Sequence, residues 1–268
     1  MTSFRDCIHA LQEIGLTGRN RLIVHTAPSP PAGLQGGFET LLAALIETSK
    51  ALITPCFTPQ TMIIPEVGPD DNAVQYGSHH NINRQAEFFH ENLSSSAFME
   101  PFAGVVRRHP DSLRSDHPLL SFCGIHAESL LEGQSLSSPL EPIRSLADQD
   151  GDIVLIGCDH TSNTTIHYAE QVAGRRAFTR WALTPSGAVT CPGYPGCSAG
   201  FNALRPRLDS IVRSASLGST MISLIPVRDL VQLVVGWIHV EPEALLCSNS
   251  DCPYCSTIRA AVKTRSKK

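Results

Sequence analysis

The stretch Asp152-Ile-Val-Leu-Ile-Gly-Cys158, followed by Asp159-His-Thr-Ser162 and Asn163-Thr-Thr-Ile-His-Tyr-Ala-Glu170, decides how this chain folds. A continuous apolar run bounded by an acid and a glycine reads as a strand buried on both faces, and residues 163–172 read as the helix that follows. A buried strand leading directly into a helix belongs to α/β architecture with mainly parallel pairing. The same order occurs upstream. Residues 5–15 place Ile8, Leu11 and Ile14 on one helical face; Arg21 to Thr26 reads as a buried strand, residues 38–50 as a helix and residues 51–57 as the next strand. A helix over 97–108, a strand over 119–124 and an amphipathic segment over 126–131 extend the pattern. From Arg176 the period changes to strand-like alternation around Pro185-Ser-Gly187, a Cys/Gly/Pro-rich patch follows, and residues 226–240 mix helix and strand signals. Residues 58–95, with prolines, asparagines and the paired His79 and His80, are expected to form a long surface excursion of the kind that makes lids and binding loops.

Composition narrows the function classes. The chain has 268 residues, 42% hydrophobic and 17% charged, which supports a buried core and excludes disorder, collagen and coiled coil. A formal net charge of -4 leaves no electrostatic footprint for nucleic acid, and the basic cluster of Lys263, Arg265, Lys267 and Lys268 reads as a solubilising tail. No apolar stretch approaches the roughly 20 residues that span a bilayer, and Arg5, Asp6 and Glu13 interrupt any signal-peptide core, so the expected location is the cytoplasm without a membrane partner. Nine cysteines, an odd number without a secretory signal, point away from a disulfide framework and towards buried thiols, a metal site or a nucleophile. The Asn92 and Asn163 glycosylation triplets then read as coincidences. The oligomeric state is left open by the sequence.

Four segments have the residue types that chemistry needs. At the strand-to-helix junction, the Thr164 and Thr165 hydroxyls and the free N–H groups of a helix capped by Asn163 would face the mouth of the sheet, where an anionic oxygen is stabilised. His167 and Glu170 lie three apart on one helical face, which suits a general base oriented by a carboxylate. The same pattern also fits an ordinary capped helix with a satisfied core histidine. The second segment, Leu22-Ile-Val-His-Thr-Ala-Pro-Ser29, delivers His25, Thr26, Ala27 and Ser29 into a loop with Gly33, Gly36 and Gly37, whose backbone amides would approach a phosphate; Pro and Gly clusters also simply make turns. The third, Arg114-Ser-Asp-His117-Pro, offers a cation and an acid/base group, or a pre-proline histidine held extended for backbone reasons. The fourth is Cys247-x4-Cys252-x2-Cys255, half of a structural zinc knuckle, for which Cys197 supplies a fourth thiolate or His239 an imidazole; buried reduced thiols are the other reading.

Taken in order, these segments resemble the aminoglycoside 3-N-acetyltransferase family. The resemblance rests on Val24-His-Thr-Ala-Pro-Ser29, Leu52-Ile-Thr-Pro55, Arg114-Ser-Asp-His-Pro118, Ser138-Pro-Leu140 and Val154-Leu-Ile-Gly157. The long Asn163-Thr-Thr-Ile-His-Tyr-Ala-Glu170 match adds the most, followed by Gly196-Cys-Ser-Ala-Gly-Phe201 and the terminal cysteines, so that it covers roughly residues 5–262. It implies a single three-layer α/β/α-like domain over residues 1–268, with a β-rich, cysteine-containing C-terminal part over 191–255. Acetyl-CoA is then the cosubstrate and an amine-bearing small molecule the partner. His167 is the implied base, with Thr165 stabilising the oxyanion or holding the thioester, and Glu170 orienting His167 or attracting a cationic substrate. His25, Thr26, Ala27, Ser29, His117 and Asn163 are implied in holding acetyl-CoA; Cys197, Cys247, Cys252 and Cys255 would hold a structural zinc ion.

The chain departs from the family in two places. Where the family's Met-Gly-x-x-x-Glu segment precedes Arg-Ser-x-His-Pro, Met99 is followed by Glu100, and Ala103 and Gly104 stand at the acidic position. Residues 79–89 do not reproduce the family's Phe-Asp-Pro stretch, so the acceptor need not be an aminoglycoside. The expected activity is an aminoglycoside N3-acetyltransferase-like acyl transfer to an aminoglycoside or related amine. The alternatives are a catalytically impaired binding protein and an acyl-CoA thioesterase.

Overall fold

The computed structural model describes residues 1–77 and 80–265; His79 of the paired histidines and Lys267 and Lys268 of the basic tail lie outside the described residues. The strands are β1 (Arg21–Thr26), β2 (Ala51–Pro55), β3 (Met62–Ile63), β4 (Ser112–Arg114), β5 (Phe122–Ile125), β6 (Asp152–Ile156), β7 (Phe178–Thr184), β8 (Gly187–Tyr194), β9 (Arg213–Leu217) and β10 (Thr220–Pro226). The helices are α1 (Phe4–Glu13), α2 (Gly37–Thr48), α3 (His80–Gln85), α4 (Glu100–Arg107), α5 (Glu128–Leu131), α6 (Glu141–Asp148), α7 (Thr165–Val172), α8 (Val227–Val240) and α9 (Pro253–Arg265). Among the described residues, no helix is long and apolar enough to cross a membrane.

The main sheet has the order β4-β5-β2-β1-β6-β10-β9. At its centre β1 runs parallel to both β2 and β6, with Leu22 opposite Leu52 and Asp152. These are the strands joined through helices, and parallel pairing needs such crossovers. Outwards the partners are antiparallel: β5 on β2, β4 on β5, β10 on β6 and β9 on β10. The β9–β10 connection is a tight turn at Gly218, which only an antiparallel pair accommodates.

Alternation along the central strands divides the core into two layers. Leu22, Val24, Val154 and Ile156 pack on one face against Leu11 of α1, Leu41 of α2 and Phe102 of α4. Ile23, Ile153 and Leu155 point the other way, against Ile143 of α6, Ile166 of α7 and Leu230 of α8. Helices on both faces make the three-layer α/β/α arrangement, and they explain why β1, β2 and β6 read as unbroken apolar runs.

The described residues of the 58–95 excursion are more ordered than their sequence suggests. β3 pairs with β7, and β7 pairs with β8, forming a second sheet of order β3-β7-β8. The buried Thr58 and Thr61 hydroxyls both donate to the Pro118 carbonyl, and the Asn83 side chain bonds the backbone of Ile64. Side chain-to-backbone bonds replace the hydrophobic period that would have revealed the segment.

β6 ends at Gly157, whose φ of +66° lies in the left-handed region, with room for a Cβ only 3.1 Å from Thr220 Cγ2. Because a β-carbon there costs about 1–2 kcal/mol in backbone strain alone, Gly157→Ala is expected to lower unfolding free energy by at least that amount in urea titrations. An unchanged midpoint would show that the turn relaxes.

Candidate active site

The two central strands feed helices on opposite faces: β1 leads to α2 in one core layer and β6 to α7 in the other. A crevice therefore opens beyond their carboxyl ends, the usual place for a ligand in an α/β sheet. It holds a cavity of about 380 Å³, with His25 and Thr26 from β1, Thr54 and Pro55 from β2, and Asn163, Thr164 and His167 at the start of α7. A second cleft of about 640 Å³ shares the walls Phe98, Thr161 and Ser162, and includes Ala27, Pro28 and Gly157.

The His-x-x-Glu spacing closes into a contact. His167 Nδ1 lies 2.8 Å from Glu170 Oε2, and Arg175 Nη1 donates to Glu170 Oε1 at 2.6 Å. The three side chains are exposed by only 10%, 9% and 3%. A carboxylate only accepts hydrogen bonds, so neutral His167 has its proton on Nδ1 and its lone pair on Nε2, the form a general base needs. The ring is held on its other side by Phe201, with centroids 4.7 Å apart at 61°.

Arg175 is the residue that sequence reading misses, although a signal is present. Gly174 adopts φ +75°, its N–H bonds the Gln171 carbonyl, and the Arg175 N–H turns back to the Glu170 carbonyl at 2.9 Å. That is a Schellman helix end, which brings the residue after the glycine over the third-last residue of the helix, here Glu170. Arg175 Nη2 donates further to the carbonyls of Pro242 and Ala244, at 2.9 and 2.7 Å.

The remaining sequence candidates divide. Asn163 Oδ1 accepts from the Thr165 N–H at 3.2 Å, as a cap should, and its Nδ2 is buried without a partner. Thr164 lines the cavity, whereas Thr165 is fully buried with its hydroxyl unpartnered. His25 is buried on the cavity wall, and Ala27 lies on the second cleft, while Ser29 is exposed. His117 is also buried, its Nδ1 accepting from the N–H groups of Leu119 and Leu120 at 3.2 and 3.0 Å. Arg114 acts as a pin, with donors to the carbonyls of Glu91, Leu93 and Cys56. Glu100, beside the family's acidic position, is held by the Ser95 N–H and hydroxyl and by Arg107.

Cys197, Cys247, Cys252 and Cys255 bring their sulfur atoms within 4.8 Å of one another. Four thiols at this separation match a closed tetrahedral zinc site, where Zn–S bonds of about 2.3 Å place the sulfurs roughly 3.8 Å apart. Backbone N–H groups of Ala199 and Cys247 reach Cys197 Sγ and Cys255 Sγ at 3.4 Å, contacts that stabilise thiolates. Hydrogen bonds from the Cys255 backbone and from the other three sulfurs outweigh the burial that pushes the Cys252 thiol up, leaving it below its ordinary value. His239, the other possible fourth ligand, stands exposed on α8 outside this group.

Two expectations follow from the buried polar groups. Removing one partner of a buried ion pair typically costs about 3–5 kcal/mol, so Arg175→Met should destabilise the fold by that order in chemical unfolding, and a loss below about 1 kcal/mol would show Glu170 well solvated. Burial pushes His25 from 6.5 down to about 3 and His117 down to about 4. The unfolded chain then binds protons that the folded one refuses, so stability falls as pH drops from about 6.5 towards 4, by up to about 1.4 kcal/mol per pH unit for each histidine. His25→Gln should flatten this slope in unfolding measured across that range.

With this geometry in view, comparison with known proteins gives a consistent result. The family model for aminoglycoside 3-N-acetyltransferase matches residues 23–239. Aminoglycoside N(3)-acetyltransferase IV from Salmonella sp is 27% identical over 177 residues, 63% of this chain; the match spans 58% of that relative's length. The crystal structure of aminoglycoside acetyltransferase AAC(3)-IVa as apoenzyme superposes with a TM-score of 0.77 at 22% identity, covering 97% of this chain and 98% of that one. The AAC-IIIb binary complex with CoASH gives 0.70 at 18% identity, covering 89% and 96%. The strand-end crevice with its carboxylate-held histidine lies within the span of a family match that covers most of the sequence, and that match establishes that the chain belongs to the aminoglycoside 3-N-acetyltransferase family.

Proposed function

We infer that the chain transfers acetyl from acetyl-CoA directly to the amino group of an aminoglycoside or related amine. The observation that carries this reading is the His167–Glu170 contact of 2.8 Å at the wall of the cavity. The amine nitrogen attacks the thioester carbonyl carbon, so that a C–N bond forms and the C–S bond then breaks. His167 Nε2 takes the proton the amine must lose and returns it to the departing CoA sulfur. Glu170 accepts from the Nδ1–H and stabilises the imidazolium between the two transfers, while Arg175 holds Glu170 in place. A donor for the tetrahedral oxyanion is at hand in the unpartnered Nδ2 of Asn163 on the cavity wall, whereas the Thr165 hydroxyl is buried away from it.

The second cleft, lined by Ala27, Pro28 and Gly157, suits the CoA arm. It continues from His25 and Thr26, and a relative of the same fold was crystallised with CoASH. Zinc on Cys197, Cys247, Cys252 and Cys255 is assigned a structural task only, because four thiols leave no open position for a substrate.

Three measurements test these assignments. His167→Ala should lower acetyl transfer by about 100-fold or more with little change in acetyl-CoA affinity; unchanged turnover would remove His167 from the reaction. Thiol release that proceeds equally without any amine would replace acetyl transfer by hydrolysis. Cys252→Ser should release the metal and lower the melting temperature, and a wild-type protein free of zinc by elemental analysis would end the zinc assignment.

A further inference from the structure

We propose that Asp159 orients the acceptor: its carboxylate takes one ammonium group of a polyamine while a second amine of the same molecule reaches His167. This role depends on the acetyl-transfer reading above and adds the residue that selects and turns the acceptor. Among the described residues, the side chains lining the main cavity and the second cleft include one aspartate, Asp159, and no glutamate, lysine or arginine. Burial keeps His25, on the main cavity wall, neutral.

Asp159 lines the second cleft next to the place where the two meet, since Thr161 and Ser162 line both. The residue is exposed, yet its carboxylate is held in one orientation. Oδ1 accepts from the Thr161 N–H and hydroxyl at 2.9 and 2.5 Å, and Oδ2 accepts from Asn202 Nδ2 at 2.7 Å. These bonds hold the carboxyl below the usual carboxylate range, and because every donor is neutral the negative charge is not cancelled. The neighbouring His160 is buried, which lowers its own pKa and keeps it from supplying a cation. Capping the short turn His160–Ser162 uses Oδ1 alone. The bond from Asn202 to Oδ2, across 43 residues of sequence, goes beyond that need.

The segment that holds this anion also touches the base. Asn202 Oδ1 accepts from the His160 N–H at 3.1 Å, and the adjacent Phe201 packs its ring on His167. Two consecutive residues of one 3-10 turn, Phe201–Arg207, thus seat the imidazole and the carboxylate, which sets the spacing between them. An ammonium entering clefts with a single formal charge on their walls meets its counter-charge in one place. The nitrogen held by Asp159 stays protonated and is no nucleophile, whereas the nitrogen at the cavity wall passes its proton to His167. Thr26, Thr54, Asn163, Thr164 and Ser198 give the main cavity polar groups for the hydroxyls of such a molecule. The CoA arm contains amides and no charge, so the carboxylate does not oppose its passage through the second cleft.

The test compares wild type with Asp159→Asn and Asp159→Glu as full-length proteins. Gentamicin, with several amines, and glucosamine, with one, serve as acceptors, and gentamicin binding is also measured by calorimetry without acetyl-CoA. Asp159→Asn is expected to lower kcat/KM for gentamicin by about tenfold or more, mainly through KM, and to flatten its fall with salt, because a charge at the rim of a site governs capture and its screening. Gentamicin affinity should weaken by a similar factor, Asp159→Glu should retain most of it, and glucosamine turnover and the KM for acetyl-CoA should not suffer. Unchanged gentamicin affinity in Asp159→Asn would overturn the proposal, as would an equal loss with both acceptors or a loss confined to the KM for acetyl-CoA. Absence of product from every amine, with gentamicin affinity still falling in Asp159→Asn, would remove the acetyl-transfer reading and leave Asp159 as the ammonium site.

Discussion

The buried chain of contacts from Arg175 through Glu170 to His167 is the constraint on which the rest of the site depends. A buried carboxylate needs a partner for its charge, and Arg175 supplies one at 2.6 Å. Glu170 in turn fixes the histidine's tautomer and orientation, which turns the Nε2 lone pair away from the carboxylate. Arg175 also donates to the carbonyls of Pro242 and Ala244, so α7 is anchored to the segment that leads into the terminal cysteines.

That anchoring joins the sulfur cluster to the candidate site from two directions. Cys197 stands between Gly196 and Ser198, both of which line the cavity, and Phe201, a few residues on, packs its ring against His167. Cys247, close to the carbonyls that hold Arg175, belongs to the same four-thiol group. A cluster far from His167 in sequence thus lies on two loops that border it. The parallel centre of the main sheet supplies the rest of the frame, since β1 and β6 diverge there to opposite faces.

Much of this was legible in the sequence because it is local. β1, β2 and β6 announce themselves as apolar runs, α7 by its cap and its His-x-x-Glu spacing, and the cysteines by their short intervals. The antiparallel flanks of the sheet were not legible, because strand direction depends on the path of connections rather than on residue pattern. Nor was the ordering of residues 58–95, where β3 and the buried Thr58 and Thr61 are held by backbone carbonyls distant in sequence. Thr165 illustrates the same limit at a single residue: a helical wheel places it at the helix start, but only packing decides that Thr164 takes the wall.

The sequence by itself determined the α/β class, the strand-to-helix junction and the His167–Glu170 pairing, because period, capping and i,i+3 spacing are properties of one continuous segment. Tertiary structure alone decided the lining of the cavity, the place of Arg175 and the closure of four thiols into one group. Each of these is set by which distant side chains become neighbours, and burial and electrostatic pairing, unlike backbone periodicity, act through space rather than along the chain.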